Sequence, residues 1–214
     1  MYAKSKNIWY AEESVLILID YQEEVMDFIH DKDRKLVELN AVTVAKMAVK
    51  LGIPVILSTV AVKMGVGTPT IPSLKEALPG ILEIDRTSMD AWEDENLVNA
   101  VKATGKKKLV MAGIVTSTCL TFGALHALSE DYEVMFIEDA VGDKSKEEHE
   151  NAVRRLIQAG AVPTSSIALT AEWFRDWASP TAEFAREIYP PFLIESAKLR
   201  GMPLPAWATE NEAK

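Results

Sequence analysis

The stretch KLVMAGIVTSTCLTFGALHAL, residues 108–128, determines the fold expected for this chain. Its first part, residues 109–115, is a continuous apolar run, which is typical of a strand buried on both faces of a parallel sheet. A short polar segment follows, and then an Ala- and Leu-rich pattern that favours a helix. The stretch therefore predicts a buried strand, a tight turn and a helix that carries Cys119 in its first turn.

Similar apolar runs and helical patterns alternate along the rest of the chain. Runs expected to be strands lie at 15–19, 53–60, 81–84, 133–138 and, more weakly, 165–169. Segments with helical spacing lie at 33–51, 94–103 and 146–158, and a further helix is expected near 181–188. About six strands alternating with helices predict an α/β fold, a Rossmann-like three-layer α/β/α sandwich around a mostly parallel six-stranded sheet.

The length of 214 residues suits a single domain spanning residues 1–214. Its Pro-punctuated C-terminal tail, from about 178 to 214, carries apolar side chains without obvious periodicity. Such a tail either docks on another subunit, which would make the chain a homo-oligomer, or covers the chain's own surface.

Composition limits the partners and the location of the protein. The formal net charge of −9 argues against nucleic acid, since phosphate binding needs a positive face. The one basic cluster, residues 106–108, is expected to be a solvated loop. No apolar run approaches the roughly 20 residues that a membrane span needs. A single cysteine and an N-terminus unlike a signal peptide favour a cytoplasmic protein.

The motifs of the common nucleotide, metal and serine sites are missing from the sequence. There is no G-x-G-x-x-G, no P-loop and no G-x-S-x-G elbow. The histidines at 30, 126 and 149 lack metal-ligand spacing, so neither a metal nor another cofactor is expected. His149 is expected on a solvated helix face, and His126, two turns beyond Cys119, in packing or an interface.

Three reactive side chains follow predicted strands: Asp20, Arg86 and Cys119. Considered one at a time, each has a more common structural explanation. Asp20 could be a helix or turn cap, Arg86 a member of a surface ion pair and Cys119 an inert thiol of the core. The carboxyl ends of parallel strands, however, share one edge of the sheet, and ligands bind there. We therefore expect the three residues to meet and to form a catalytic site.

This set of residues suits amide hydrolysis by a thiol. Such a reaction needs a reactive sulfur, a proton carrier and donors for the oxyanion. A helix start favours the thiolate of Cys119, and Asp20 can act first as base and then as acid. Arg86 can stabilise both anions, and the backbone N–H groups of Thr118 and Cys119 can receive the oxyanion.

Four segments resemble the isochorismatase-like cysteine hydrolases, in particular their YcaC-related branch. They are VLILIDYQ at 15–22, Arg86 ahead of DAW at 90–92, KATGKKKLVMAGIVTSTC at 102–119 and EVMFIEDAVGD at 133–143. The resemblance implies a Rossmann-like sheet and an Asp-Lys-Cys triad, which corresponds to Asp20, Arg86 and Cys119. Arginine stands where most members have lysine; it keeps the charge but cannot give up a proton at neutral pH.

The resemblance also has implications for the backbone, for metals and for assembly. A cis peptide between Val115 and Thr116 is implied, which would turn backbone donors at these residues towards the substrate. The Asp-x-His metal motif of several members is replaced by STVAVK at 58–63, which disfavours a metal-dependent nicotinamidase. Relatives are commonly homo-oligomers.

Together these observations predict a cysteine-dependent hydrolase of a small molecule with a C–N (amide) bond, acting through a Cys119 thioester. Met89, Trp92 and the loop at 63–69 are expected to line the substrate pocket. Two alternatives remain open at this point. One is an isochorismatase-type vinyl-ether hydrolase that forms no thioester, and the other is a non-catalytic oligomeric scaffold.

Overall fold

A six-stranded parallel sheet organises the computed structural model, which describes residues 4–209. Its strand order is β3-β2-β1-β4-β5-β6, and every neighbouring pair is parallel. The strands are β1 Ser14–Ile19, β2 Val55–Val60, β3 Glu83–Arg86, β4 Lys108–Gly113, β5 Glu133–Ile137 and β6 Val162–Thr164. Every residue of β1 and β4 is buried, because helices cover both faces of the sheet. The predicted α/β sandwich is confirmed.

Three of the described helices begin at a side-chain cap, namely Asp33, Asp94 or Ser145. The helices are α1 Glu23–Met26, α2 Arg34–Lys50, α3 Pro72–Ala77, α4 Glu95–Ala103, α5 Thr121–Ser129, α6 Lys146–Gln158, α7 Ser166–Phe174, α8 Ala182–Leu199 and α9 Ala206–Thr209. At α6 the Ser145 hydroxyl accepts a hydrogen bond from the N–H of Glu148 at 3.2 Å, as the capping pattern predicts. Within residues 4–209, no helix has both the length and the apolar character needed to cross a bilayer.

The strand order reverses between β1 and β4, which are hydrogen-bonded neighbours with Ile19 opposite Gly113. In open parallel sheets, ligands bind beyond the carboxyl ends of the strands at such a reversal. Gly113 has no side chain for a spatial reason, since a Cβ there would lie 3.0 Å from the Cβ of Ile19. The two strand ends can therefore approach closely at Ile19 and Gly113.

The boundaries of two predicted strands were wrong. The sixth strand is Val162–Thr164, and most of the predicted segment, 165–169, belongs to α7. The residues of α7 that face the core, among them Leu169 and Trp173, follow helical spacing, and the edge strand ends before them. The third strand is Glu83–Arg86 rather than 81–84, so Arg86 is its last residue.

The C-terminal tail is more regular than its prolines indicate. Helix α8 runs to Leu199 and contains Pro190 and Pro191, whereas a helix ending near 188 was expected. Proline removes a backbone donor and normally interrupts a helix. Here α8 packs along α2, with Ile188 and Phe192 buried, and this packing keeps it continuous. Residues 210–214 of the predicted tail lie outside the described residues.

The basic cluster at 106–108 is not entirely a solvated loop. Lys108 is the first residue of β4 and is 9% exposed. Its ammonium group donates to Glu13 Oε2 at 3.0 Å and to the carbonyl of Ile8 at 3.2 Å. The expectation of a solvated loop was wrong for this residue, because the N-terminal segment covers it.

Candidate active site

Asp20 directly follows β1 and is fully buried. Its N–H continues the sheet ladder by donating to the carbonyl of Ser58 at 2.9 Å. Its φ of 59° is in the left-handed region, which aspartate tolerates better than most residues but which still costs stability. Such backbone strain is concentrated at functional sites, where the surroundings hold it in place.

Arg86 forms a two-pronged ion pair with Asp20. The Nη1 to Oδ1 distance is 2.6 Å and the Nη2 to Oδ2 distance is 2.7 Å, with both side chains at 0% exposure. Nη1 also donates to Ser58 Oγ at 3.1 Å and to the carbonyl of Thr59 at 3.2 Å. The third donor, Nε, has no hydrogen-bond partner in the described part of the chain. The pair joins the ends of β1 and β3 across β2.

Cys119 lies next to both members of this pair. It belongs to a π-helical turn, Thr116–Leu120, which precedes α5, and it is 8% exposed. Burial is the largest effect on its thiol, and the charge and hydrogen bond of Asp20 act in the same direction. Thr118 and Arg86 oppose them, and the pKa of Cys119 is raised to about 12.

The expectation that Cys119 rests as a thiolate was therefore wrong. A helix start and a nearby cation do favour the anion, as the sequence indicates. Burial and the neighbouring carboxylate outweigh them here, so the sulfur is protonated at neutral pH. A neutral thiol near a carboxylate is a pair that can exchange a proton.

The guanidinium of Arg86 remains a cation in this site. Burial by itself would lower its pKa, but the hydrogen bonds and charge of Asp20 raise it, with smaller contributions from Cys119. The net result is a raised pKa. Arg86 therefore stabilises negative charge in the site without exchanging protons.

The backbone before Cys119 contains a cis peptide bond, but not at the expected residue pair. The bond is between Ile114 and Val115, one residue earlier than Val115 and Thr116. The N–H of Thr116 donates to the carbonyl of Gly142 at 2.9 Å, and that of Thr118 to the carbonyl of Val115 at 3.3 Å. The N–H of Val115 has no hydrogen-bond partner among residues 4–209. Among the predicted oxyanion donors, Thr116 and Thr118 are therefore already hydrogen-bonded, whereas Val115 is open; the role of Cys119 stays a prediction.

The loop after β2 is tied down more firmly than its Gly- and Pro-rich sequence indicates. The carboxylate of Asp85 accepts from the N–H groups of Val62 and Lys63, both at 2.9 Å. The side chain of Gln22 accepts from the N–H of Val60 at 2.7 Å and donates to the carbonyl of Thr68 at 2.7 Å. Sequence reasoning gave no role to these two side chains, because their backbone partners are remote in sequence.

The structure does not join the two predicted pocket residues to the triad. Met89 is 64% exposed. Trp92 is buried, and its ring packs edge-on against Tyr132 with the centroids 5.1 Å apart. Their place in a substrate pocket stays a prediction.

His149 was expected on a solvated face, and this was wrong. It is 7% exposed, and its imidazole contacts the hydroxyl of Thr116 at 2.9 Å. The pKa of His149 is lowered, first by burial and then by the charge of Lys32. Only the packing of α6 on the π-helical turn reveals this contact, since Thr116 and His149 are far apart in sequence.

Within residues 4–209, no group of three or more His, Cys, Asp or Glu side chains is arranged to hold a metal ion. The expectation that the protein works without a cofactor stays a prediction.

Comparison with known proteins identifies the family of this chain. The family described as Isochorismatase domain matches residues 14–168. The chain belongs to the isochorismatase family. That match includes Asp20, Arg86 and Cys119, together with all of the sheet.

Individual relatives place the chain in the YcaC-related branch of the isochorismatase family. The "Probable hydrolase YcaC" of Escherichia coli K12 is 34% identical over 166 residues, which cover 77% of this chain and 79% of that protein. The crystal structure of E. coli YcaC has a TM-score of 0.84 at 30% identity and covers 93% of this chain and 97% of that one. It is described as an octameric hydrolase of unknown specificity.

YcaC from Pseudomonas aeruginosa gives a similar result. Its structure has a TM-score of 0.80 at 30% identity, and the match covers 91% of this chain and 98% of that one. That crystal contains hexane-2,5-diol and covalent acrylamide. The two YcaC structures and this chain thus share the fold over nearly their whole length.

Replacement of Asp20 tests its effect on the thiol of Cys119. Because its charge raises the pKa of Cys119, Asp20→Asn should lower that pKa and speed labelling by iodoacetamide at a fixed, mildly alkaline pH. The ultraviolet absorbance of the thiolate during a pH titration gives the pKa directly. Glu130→Gln, a charge removal on the surface end of α5, is the control and should change neither quantity.

The same variant leaves the Arg86 charge buried without its partner, so a loss of about 3–5 kcal/mol of stability is expected. Circular dichroism must therefore show a folded chain before labelling is interpreted. A folded Asp20→Asn protein with an unchanged or higher thiol pKa would contradict this description of the site.

Proposed function

We propose that this chain is a cysteine-dependent hydrolase of a small molecule, which cleaves a C–N (amide) bond through a thioester on Cys119. Membership of the isochorismatase family supports hydrolysis in general. The observation that carries the finer proposal is the buried Asp20 carboxylate, which is held by Arg86 on one side and lies beside the Cys119 thiol on the other.

The first step forms the thioester. The sulfur of Cys119 attacks the amide carbon while its proton passes to Asp20, because the raised pKa of the thiol leaves little free thiolate in advance. Negative charge develops on the carbonyl oxygen, and the open N–H of Val115 is a donor for it. The carbon–nitrogen bond then breaks, and Asp20 returns the proton to the leaving nitrogen.

The second step regenerates the enzyme. Water attacks the thioester carbon and gives one proton to Asp20, and the carbon–sulfur bond breaks to release a carboxylic acid. That proton then returns to the sulfur of Cys119. Arg86 cannot take part in these transfers, since its pKa is raised from an already high value. Asp20 is therefore the proton carrier of the triad in both steps.

The position of the thiol favours this reaction over the alternatives. Hydrolysis of a vinyl ether needs an acid but no nucleophilic sulfur, and a scaffold needs neither. A protonated thiol near a buried carboxylate matches a nucleophile and its base. We retain both alternatives as outcomes of the experiment below.

We further propose that the protein is a cytoplasmic homo-oligomer and a single domain over residues 1–214. The octameric assembly described for E. coli YcaC supports the oligomer. Exposed apolar side chains on the C-terminal segment would suit a subunit contact, namely Trp177, Leu193, Met202 and Trp207. A reducing cytoplasm would keep the single cysteine active.

Replacement of Cys119 by Ala should abolish turnover on a panel of small primary amides while folding and assembly persist. Intact-mass spectrometry of the wild type during turnover should show an acyl adduct, which is absent from Cys119→Ala. His126→Leu is the control and should remain active. His126 lies on α5, which follows the π-helical turn that carries Cys119, and its imidazole pairs with Asp90.

Turnover of a vinyl ether that survives in Cys119→Ala would instead indicate isochorismatase-type chemistry. An intact oligomer without turnover on either panel would favour the scaffold. Both results would contradict the thioester proposal.

Substitutions of Arg86 give a second test of this function. Arg86→Lys retains the charge and creates the triad of the relatives, so activity should survive with a moderate loss. Arg86→Met should lose activity and about 3–5 kcal/mol of stability, because Asp20 is left buried and unpaired. Steady-state kinetics and urea unfolding measure the two effects, and equal activity in both variants would show that the cation has no role.

A further inference from the structure

A chain of hydrogen bonds joins Lys32 to the backbone beside the nucleophile. The Lys32 ammonium group lies 3.2 Å from Nε2 of His149, whose Nδ1 lies 2.9 Å from Oγ1 of Thr116. That hydroxyl in turn lies 3.1 Å from the carbonyl of Gly142. Thr116 and His149 are both buried, and the proposed mechanism uses neither side chain.

The ammonium group of Lys32 determines the direction of each hydrogen bond in this series. An ammonium group only donates, so Nε2 of His149 must accept and carry no proton. The neutral imidazole then has its proton on Nδ1 and donates to Oγ1 of Thr116. The threonine hydroxyl is left to donate to the carbonyl of Gly142, and every polar atom along the chain is satisfied.

Charged groups surround His149 from several segments. Asp31 Oδ2 lies 3.8 Å from Nδ1, and Glu138 Oε1 lies 3.9 Å from Nε2. Burial, and next the charge of Lys32, lower the pKa of His149, whereas Asp31, Glu138 and Asp143 raise it. The net direction is downward, so the imidazole is neutral at pH 7 and the arrangement above is the resting one.

This chain of hydrogen bonds holds the segment that carries the proposed oxyanion donor. Thr116 directly follows Val115, and both its N–H and its hydroxyl are bonded to the carbonyl of Gly142. Gly142 is itself confined, since a Cβ there would lie 2.7 Å from Cγ2 of Ile29. These contacts fix the orientation of Thr116, and with it the peptide that carries the N–H of Val115.

We infer that His149 is a positioning residue: held by Lys32, it fixes Thr116 so that the backbone N–H of Val115 faces the developing oxyanion. This inference rests on the proposed function, because the donor that His149 positions belongs to the same proposed site. Activity would then depend on His149 and Thr116 as well as on the triad of Asp20, Arg86 and Cys119.

Two thiol reagents separate positioning of the oxyanion donor from general effects on the sulfur. Addition to acrylamide forms a carbon–sulfur bond at the β-carbon and places negative charge on the carbonyl oxygen, before the thiol's proton reaches the α-carbon. Displacement of iodide from iodoacetamide forms a carbon–sulfur bond without charge on the carbonyl oxygen. The ratio of the two rates at Cys119, measured by intact mass, therefore reports on the oxyanion donor.

His149→Leu and Thr116→Val should each lower the acrylamide to iodoacetamide rate ratio by about tenfold, less than the roughly 10²–10³ seen when a donor is removed outright. His149→Asn keeps a donor near the position of Nδ1 and should restore most of the ratio. His126→Leu is the matched control and should leave the ratio unchanged. If His149→Leu does not fold, Thr116→Val and His149→Asn decide the question.

Lys32→Met gives a pH signature that a merely structural role would not produce. Without the ammonium group, the imidazole can place its proton on Nε2 and lose its donor to Thr116, so the ratio should fall at neutral pH. Acidification should restore it, because a protonated imidazole again carries a proton on Nδ1. The wild type should show no such recovery.

An unchanged ratio in His149→Leu and Thr116→Val, with labelling still confined to Cys119, would overturn the positioning role and leave the thioester proposal standing. Equal losses with both reagents would also overturn it, since they would indicate a general disturbance. Failure of either reagent to label Cys119 in the wild type would instead count against the proposed function itself.

Discussion

The two-pronged ion pair between Asp20 and Arg86 is the interaction on which the rest of the site depends. Both side chains are at 0% exposure, and a buried charge is tolerated only with a partner and further hydrogen bonds. Ser58 and the carbonyl of Thr59, both on β2, supply those bonds to Arg86. The ends of three neighbouring strands are thereby linked, and Asp20 keeps its left-handed backbone conformation.

Burial and this pair together determine the state of the sulfur. Burial raises the pKa of Cys119 most, Asp20 raises it further, and Arg86 opposes them without reversing the result. The proposed nucleophile thus rests as a thiol near its proposed base. A lysine at this position could exchange a proton, whereas the guanidinium of Arg86 cannot. In the reaction we propose, proton transfer and charge stabilisation are therefore divided between two residues, with Asp20 in the first role and Arg86 in the second.

The sheet and the meeting of Asp20, Arg86 and Cys119 could be anticipated because each depends on a local signal. Unbroken apolar runs mark strands buried on both faces, and residues after parallel strands share one edge. The features that sequence reasoning missed depend on tertiary packing. His149 is buried only because α6 packs on the π-helical turn, and α8 continues through Pro190 and Pro191 because it packs along α2. The protonated state of the thiol likewise depends on burial, which local sequence does not reveal.

The central claim is that the thiol of Cys119 rests protonated beside the Asp20 carboxylate. Infrared spectroscopy observes this directly, since the S–H stretch falls in a clear spectral window and the chain has one cysteine. At neutral pH the reduced protein should show a single S–H band, because burial and the charge of Asp20 keep the thiol protonated. Absence of the band, which would mean a resting thiolate, would contradict the account.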